Sequence, residues 1–80
     1  MKKNIQVKIY DNRKSLDRYT AVFVTQPTRN GFEAIAMSER PHHSAGGYQF
    51  CEAKPGKHLG RPIKFSQLPE ECQQLIAEAA

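Results

Sequence analysis

The chain has 80 residues, of which 39% are hydrophobic, 12 are Lys or Arg, 8 are Asp or Glu, and two are cysteines. This length allows one domain, residues 1–80, whose small core leaves little room for a deep enzyme cleft. The composition excludes a disordered chain, a disulfide scaffold and a membrane span of about 20 apolar residues, so we expect a cytoplasmic protein with no membrane partner.

Three apolar segments in the first half of the chain have the pattern of β-strands. Residues 5–9 alternate apolar and polar side chains, and residues 19–25 are β-branched or aromatic on both faces, as in a central strand. Residues 32–38 form a third run. Residues 26–31, which contain proline and an Asn-Gly pair, predict a turn between the second and third runs. Because short turns join these runs, the simplest topology is an antiparallel meander.

Residues 39–62 differ in composition from the segments on either side. They contain three prolines, four glycines and all three histidines of the chain. A loop of this length is unusual in a compact domain and is normally functional, disordered or a sign of a missed element. Only residues 48–52 and residues 63–65 have the pattern of additional short strands. The sequence therefore predicts three or four strands and a long basic loop.

The C-terminal segment predicts one helix. Pro69 lies near the predicted start of the helix, where its missing N–H breaks no helical hydrogen bond. Glu70 and Glu71 fall in the first turn, where the helix dipole favours acidic side chains. Apolar side chains recur at helical spacing on one face: Leu68, Cys72, Leu75, Ile76 and Ala79. A helix of about eleven residues is unstable alone in water, so it must dock on the sheet. Together the elements predict an α+β fold, a small antiparallel sheet with one C-terminal helix on one face.

The middle of the chain is its most basic part. Residues 40–64 carry five Lys or Arg and one acid, whereas residues 65–80 carry three acids and no base. Cations can neutralise phosphates or attract an acidic protein, and aromatic rings can stack on bases or cover the sheet. The candidate binding residues are the aromatic and basic side chains that surround the possible strand: Tyr48, Phe50, Lys54, Lys57, Arg61 and Lys64.

The residue types that carry chemistry form no recognised motif. His42, His43, Cys51 and His58 are of zinc-ligand type, but their spacing fits no standard zinc site. Cys51 near a histidine could act as nucleophile and base, although nothing in the sequence orients such a pair. The sequence therefore predicts no enzyme, no catalytic residue, no cofactor and no metal site.

Three motifs together resemble a family of small uncharacterised proteins. Residues 17–20 read D-R-Y-T, residues 37–41 read M-S-E-R-P, and residues 58–69 read H-L-G-R-P-I-K-F-S-Q-L-P. The set is similar to small proteins of bacteria, phages and other mobile elements that pair D-R-Y-T with M-S-x-x-P and H-L-G-x-x-I-x-F-x-x-L-P. The resemblance implies no activity and no catalytic residue. It implies a context, that of a small accessory gene on a mobile element.

Several residues within these motifs have roles that we expect to be structural. Arg18, beside Asp17, is expected to pair within the sheet. Gly60 is expected to adopt a positive φ before the last strand. The segment that ends at Pro41 is expected to end a strand, since the residue before proline is held extended.

The sequence thus predicts a non-enzymatic binding module, an accessory or inhibitory protein of a phage or mobile element that contacts another protein, with a host defence protein as one candidate partner. The alternative is a nucleic-acid-binding accessory protein that uses residues 40–64. The direction in which the Tyr48 and Phe50 side chains point distinguishes the protein-binding prediction from the nucleic-acid alternative. Exposed rings beside the basic side chains favour nucleic acid, whereas buried rings with a flat apolar surface patch favour protein.

Overall fold

The structure is a computed structural model that describes residues 6–79. Its elements, in chain order, are β1 (Val7–Asp11), β2 (Tyr19–Thr28), β3 (Gly31–Met37), β4 (Tyr48–Ala53), β5 (Arg61–Ile63) and the helix α1 (Glu70–Ala79), with short 3-10 turns at Lys57–Leu59 and Phe65–Gln67. The strands pair antiparallel in one sheet with the order β4-β3-β2-β1-β5. The predicted α+β class with a C-terminal helix is confirmed.

The sheet formed by residues 6–79 has five strands, so the predicted count of three or four is wrong. The first four strands form the predicted meander, and β5 returns to pair with β1 at the opposite edge from β4. Both segments predicted as possible short strands are present, although β5 begins and ends two residues earlier than the predicted 63–65. A three-residue strand with a central proline shows no period of two, which is why its pattern is weak.

The helix packs on one face of the sheet, which we call the helix face. Side chains of β1, β2 and β3 on that face are buried with those of α1 and the turn before it: Ile9, Tyr19, Ala21, Phe23, Ile35, Met37, Leu68, Cys72, Leu75 and Ile76. The Cys72 thiol also donates to the backbone carbonyl of Ser38, 3.4 Å away. Docking of the apolar stripe is therefore confirmed, and it stabilises a helix that would be unstable alone. No helix in the described part of the chain is long and apolar enough to cross a membrane.

The opposite face of the sheet is partly covered by the connection between β4 and β5. Because these strands lie at opposite edges, residues 54–60 cross that face, where Leu59 packs against its buried side chains. Those buried side chains are Tyr10, Val22 and Ala34. The predicted long loop is therefore two connections, residues 38–47 and residues 54–60, with β4 between them.

Two glycines allow close approach of one strand to another. Gly60, just before β5, has the expected positive φ, +116°, and a Cβ there would lie 2.5 Å from the carbonyl oxygen of Asp11. Gly31 begins β3 with φ +146°, and a Cβ there would lie 2.6 Å from the carbonyl oxygen of Ala53. Any larger residue at either position would strain the backbone and push the neighbouring strand away.

The connection between β2 and β3 is tighter than predicted. The sequence predicts a turn over residues 26–31, but only residues 29–30 lie between the two strands. The register of the pair shifts between Val22 and Pro27. Such an irregularity is where a sheet tolerates proline, so Pro27 belongs to the strand and not to the turn.

Candidate functional site

The outer edge of β4 is the feature of the sheet that most resembles a binding site. All six residues of β4 pair with β3, from Tyr48 opposite Met37 to Ala53 opposite Phe32. Within residues 6–79, no other strand pairs with β4, which is the last strand on its side. The outward N–H and C=O groups of an edge strand are available to a further chain.

Two aromatic side chains stand on the helix face of this edge. Tyr48 and Phe50 lie opposite Met37 and Ile35, which are fully buried, yet the two rings are themselves 43% and 66% exposed. Their centroids are 6.1 Å apart in an edge-to-face arrangement, and the ring of His42 lies 5.8 Å from that of Tyr48 in the same manner. We call His42, Tyr48 and Phe50 the aromatic row.

Two carboxylates continue the same face beyond the aromatic row. Glu33 of β3 lies directly opposite Glu52 of β4, and both side chains are exposed. Like charges directly opposite each other across a strand pair repel. The side chains of Thr28 and Asn30 lie close to the Glu52 carboxylate and hold its pKa below the ordinary value, so Glu52 stays ionised. Among residues 6–79, no Lys, Arg or His nitrogen lies within 4.0 Å of either carboxylate.

A shallow groove connects the aromatic row, the carboxylates and the end of the helix. The groove opens along β4 and has a volume of about 450 Å³. Its lining includes Phe23 and Ala79 on the core side and Phe50 and Glu52 on the strand side. The groove thus places an apolar wall beside an acidic one.

The groove is an open surface feature beside β4. Its importance lies in its lining, because it joins the exposed ring of Phe50 to the carboxylates of Glu33 and Glu52.

The structure separates the predicted binding residues into two groups. Tyr48 and Phe50 lie together at the β4 edge, and Lys54 follows directly after that strand. The remaining three basic residues lie in or beside the turn and strand at the other edge: Lys57, Arg61 and Lys64. The two edges are four strand spacings apart, about 19 Å. The aromatic residues and most of the predicted cations therefore do not form one patch.

Cys51 and His58 line one small cavity on the face opposite the helix. Its volume is about 270 Å³, and Asp17 also lines it. Burial raises the pKa of the Cys51 thiol, whereas a nucleophilic cysteine is activated by a lowered pKa. Within residues 6–79, no three His, Cys, Asp or Glu side chains are grouped as metal ligands.

Arg18 pairs with a residue other than its neighbour in the sequence. Its Nε and Nη2 donate to the two carboxylate oxygens of Asp11, at 2.7 and 3.0 Å, and its Nη1 donates to Glu39. The expected pairing of Arg18 within the sheet is therefore made with Asp11 at the end of β1 and not with Asp17. This network ties the start of β2 to the loop that carries His42.

The acidic residues beside the aromatic row are absent from the sequence-based prediction. Glu33 and Glu52 are 19 positions apart in the chain, and only the register of β3 with β4 makes them neighbours. The one local signal is that Glu52 has the same parity as Tyr48 and Phe50. In a strand, residues of equal parity share a face.

The chain matches no family model, no curated protein and no solved structure. The resemblance of its three motifs to proteins of phages and mobile elements therefore stays a prediction. The function of the β4 edge has to be inferred from its geometry and charge.

Proposed function

We propose that the protein is a non-enzymatic binding module that takes an extended segment of another protein as an additional strand beside β4. The observation that carries this proposal is the outer edge of the six-residue strand β4, with which no strand among residues 6–79 pairs and along which Tyr48 and Phe50 are exposed. In strand addition, main-chain hydrogen bonds supply affinity and alternate side chains supply specificity.

Tyr48 and Phe50 are exposed, but of the basic side chains that the nucleic-acid alternative needs beside them only Lys54 directly follows β4. Exposed rings without surrounding cations are well suited to a protein interface. Tyr48 and Phe50 contact each other and leave large parts of both rings in solvent. Aromatic residues are enriched among the side chains that contribute most to binding energy. An added strand would cover these rings and would also form hydrogen bonds with the outward N–H and C=O groups of β4.

A protein partner fits this surface better than a nucleic acid. Glu33 and Glu52 lie beside Phe50, and their carboxylates would repel a phosphate backbone stacked on the aromatic row. Most of the predicted cations lie at the β5 edge, about 19 Å away. The resemblance of the motifs adds the context in which we propose that the module acts, as an accessory or inhibitory protein of a phage or mobile element that binds a host protein.

The proposal is tested by selecting binders from a displayed library of random peptides on the immobilised protein. We expect selected peptides to shift the amide resonances of β4 and to increase its protection from hydrogen exchange. The double variant Tyr48→Thr/Phe50→Thr should bind them at least about tenfold more weakly, a loss of about 1.4 kcal/mol. Phe65→Thr is the matched control, since Phe65 is also an exposed aromatic residue but follows β5.

Two results would contradict the proposal. Peptides that bind the double variant as well as the parent would show that the aromatic row is not the site. Binding of a single-stranded oligonucleotide that is lost when Lys54, Lys57, Arg61 and Lys64 are neutralised together would favour the nucleic-acid alternative instead.

A further inference from the structure

We infer that the segment bound at β4 carries a lysine or arginine whose charged group lies beside Glu33 and Glu52, two residues along from the side chain that faces Phe50. The inference rests on the proposed function, because it assigns the chemistry of the segment that the β4 edge would take. It commits to one occupant, an extended protein segment with a basic residue at a defined spacing from an apolar one.

The spacing follows from the geometry of strands. On the helix face, β4 presents Tyr48, Phe50 and Glu52 in succession, because side chains alternate between faces. An added strand in register places one of its own side chains opposite each of these, about 5 Å away. The residues that face Phe50 and Glu52 are therefore separated by one residue in the partner.

The charge follows from the acidic pair. A residue opposite Glu52 extends a row that already contains Glu33 and Glu52, both exposed and both without a cation within 4.0 Å among residues 6–79. A third acid there would add to the repulsion, and an apolar side chain would leave it unchanged. A lysine or arginine is long enough to approach both carboxylates, and an arginine can bind a carboxylate with two parallel hydrogen bonds.

A second copy of this chain does not meet the requirement. In a symmetric antiparallel pairing of two β4 strands centred on Phe50, the residue opposite Glu52 is Tyr48. In the pairing centred on Cys51, the residue opposite Glu52 is Phe50. Neither register that covers the aromatic row brings a cation to the acidic pair, so self-association leaves the repulsion in place.

The experiment compares peptide selection on the parent protein with selection on three double variants. Glu33→Gln/Glu52→Gln removes the acidic pair, and Glu70→Gln/Glu78→Gln removes the same charge from exposed positions on α1 as the matched control. Tyr48→Thr/Phe50→Thr removes the aromatic row. Each selected peptide is then synthesised with its basic residue and with methionine in that position, and affinities are measured at low and high salt.

Among the selected peptides, we expect Lys or Arg to be enriched two positions away from an aromatic or branched apolar residue, with one residue of any type between them. Replacing that basic residue by methionine should weaken binding about threefold to tenfold, and less so at high salt. The variant Glu33→Gln/Glu52→Gln should bind the basic peptide more weakly than the parent does, by the same factor. It should bind the methionine peptide with the same affinity as the parent does. The control variant Glu70→Gln/Glu78→Gln should bind both peptides like the parent.

The outcomes separate the inference from the proposed function. Peptides that need Tyr48 and Phe50 but show no basic preference would overturn the inference and leave strand addition standing. Peptides that bind without any dependence on the aromatic row would overturn both. A symmetric dimer of the free protein in sedimentation, abolished by Tyr48→Thr/Phe50→Thr, would show that the occupant is a second copy and would also overturn the inference.

Discussion

The two edges of the sheet are built in opposite ways. The β5 edge has three residues, Arg61–Ile63, and two of them are a charged residue and a proline. Short length, charge and proline all discourage a further strand from pairing. The β4 edge has six residues, with no proline and no basic residue, and exposes Tyr48 and Phe50. The same chain therefore blocks one edge and leaves the other able to pair, which is the pattern expected if pairing at β4 is useful.

The edges also depend on different parts of the fold. β4 is held by six paired residues of β3, whereas β5 is held by three residues of β1 and by the close approach of Gly60 to Asp11. Both rest on the core between the helix and the central strands. Variants of the core should therefore affect the two edges together, and variants of Gly60 or Asp11 should affect β5 more than β4.

The largest effect is expected from the core. Ile76 is fully buried in the cluster that joins α1 to the sheet, so Ile76→Ala should lower the free energy of unfolding by about 2–4 kcal/mol. Amides of β4 and β5 should lose protection from hydrogen exchange by the same factor. Gln74→Ala is the control on the exposed side of α1. An unchanged melting temperature for Ile76→Ala would show that the helix does not support the sheet.

A smaller and more local effect is expected at Gly60. The φ of +116° and the 2.5 Å approach to the Asp11 carbonyl leave no room for a side chain, so Gly60→Ala should cost about 1–3 kcal/mol. Protection should fall at β5 while peptide binding at β4 is retained. Gly47→Ala is the matched control, because a Cβ at Gly47 meets no atom within 4 Å. Equal loss at both edges would show that they are not independently held.

How much of this could be predicted depends on the range of the interactions involved. The first three strands and the helix can be predicted from the sequence because their patterns are local, as the stripe of Leu75 and Ile76 shows. The positions of Lys57 and Arg61 relative to Phe50 cannot be predicted in this way, because residues that are close in the chain can lie at opposite edges of a sheet. The same holds for Glu33 and Glu52, which only strand register brings together. Local periodicity does not specify strand order or register.

A pH-dependent difference between the edges is expected from Asp11. Hydrogen bonds from Arg18 hold the pKa of Asp11 below its ordinary value of 3.8, and Asp11 pairs in register with Arg61 of β5. Because the folded-state pKa is lowered, this contribution to stability is present above the unfolded-state pKa and is lost as pH falls through the folded-state value.

Asp11→Asn should therefore be less stable than the parent at neutral pH, by less than Ile76→Ala, and the two should converge in acid. Chemical shifts of β5 should change over this acid range before those of β4. Asp17→Asn is the control, because Arg18 does not pair with Asp17. A stability difference between Asp11→Asn and the parent that stays constant down to low pH would contradict the assignment.

The smallest effect on stability is expected from the aromatic row. Tyr48 and Phe50 are 43% and 66% exposed, and threonine is also favoured in strands, so Tyr48→Thr/Phe50→Thr should change the free energy of unfolding by about 1 kcal/mol or less. Urea denaturation of the double variant measures this change beside Phe65→Thr. A loss as large as that of Ile76→Ala would make the two rings part of the core and remove the reason to assign them to binding. A small loss combined with weaker peptide binding would mean that the β4 edge keeps its aromatic side chains for a partner, since the fold itself gains little from them.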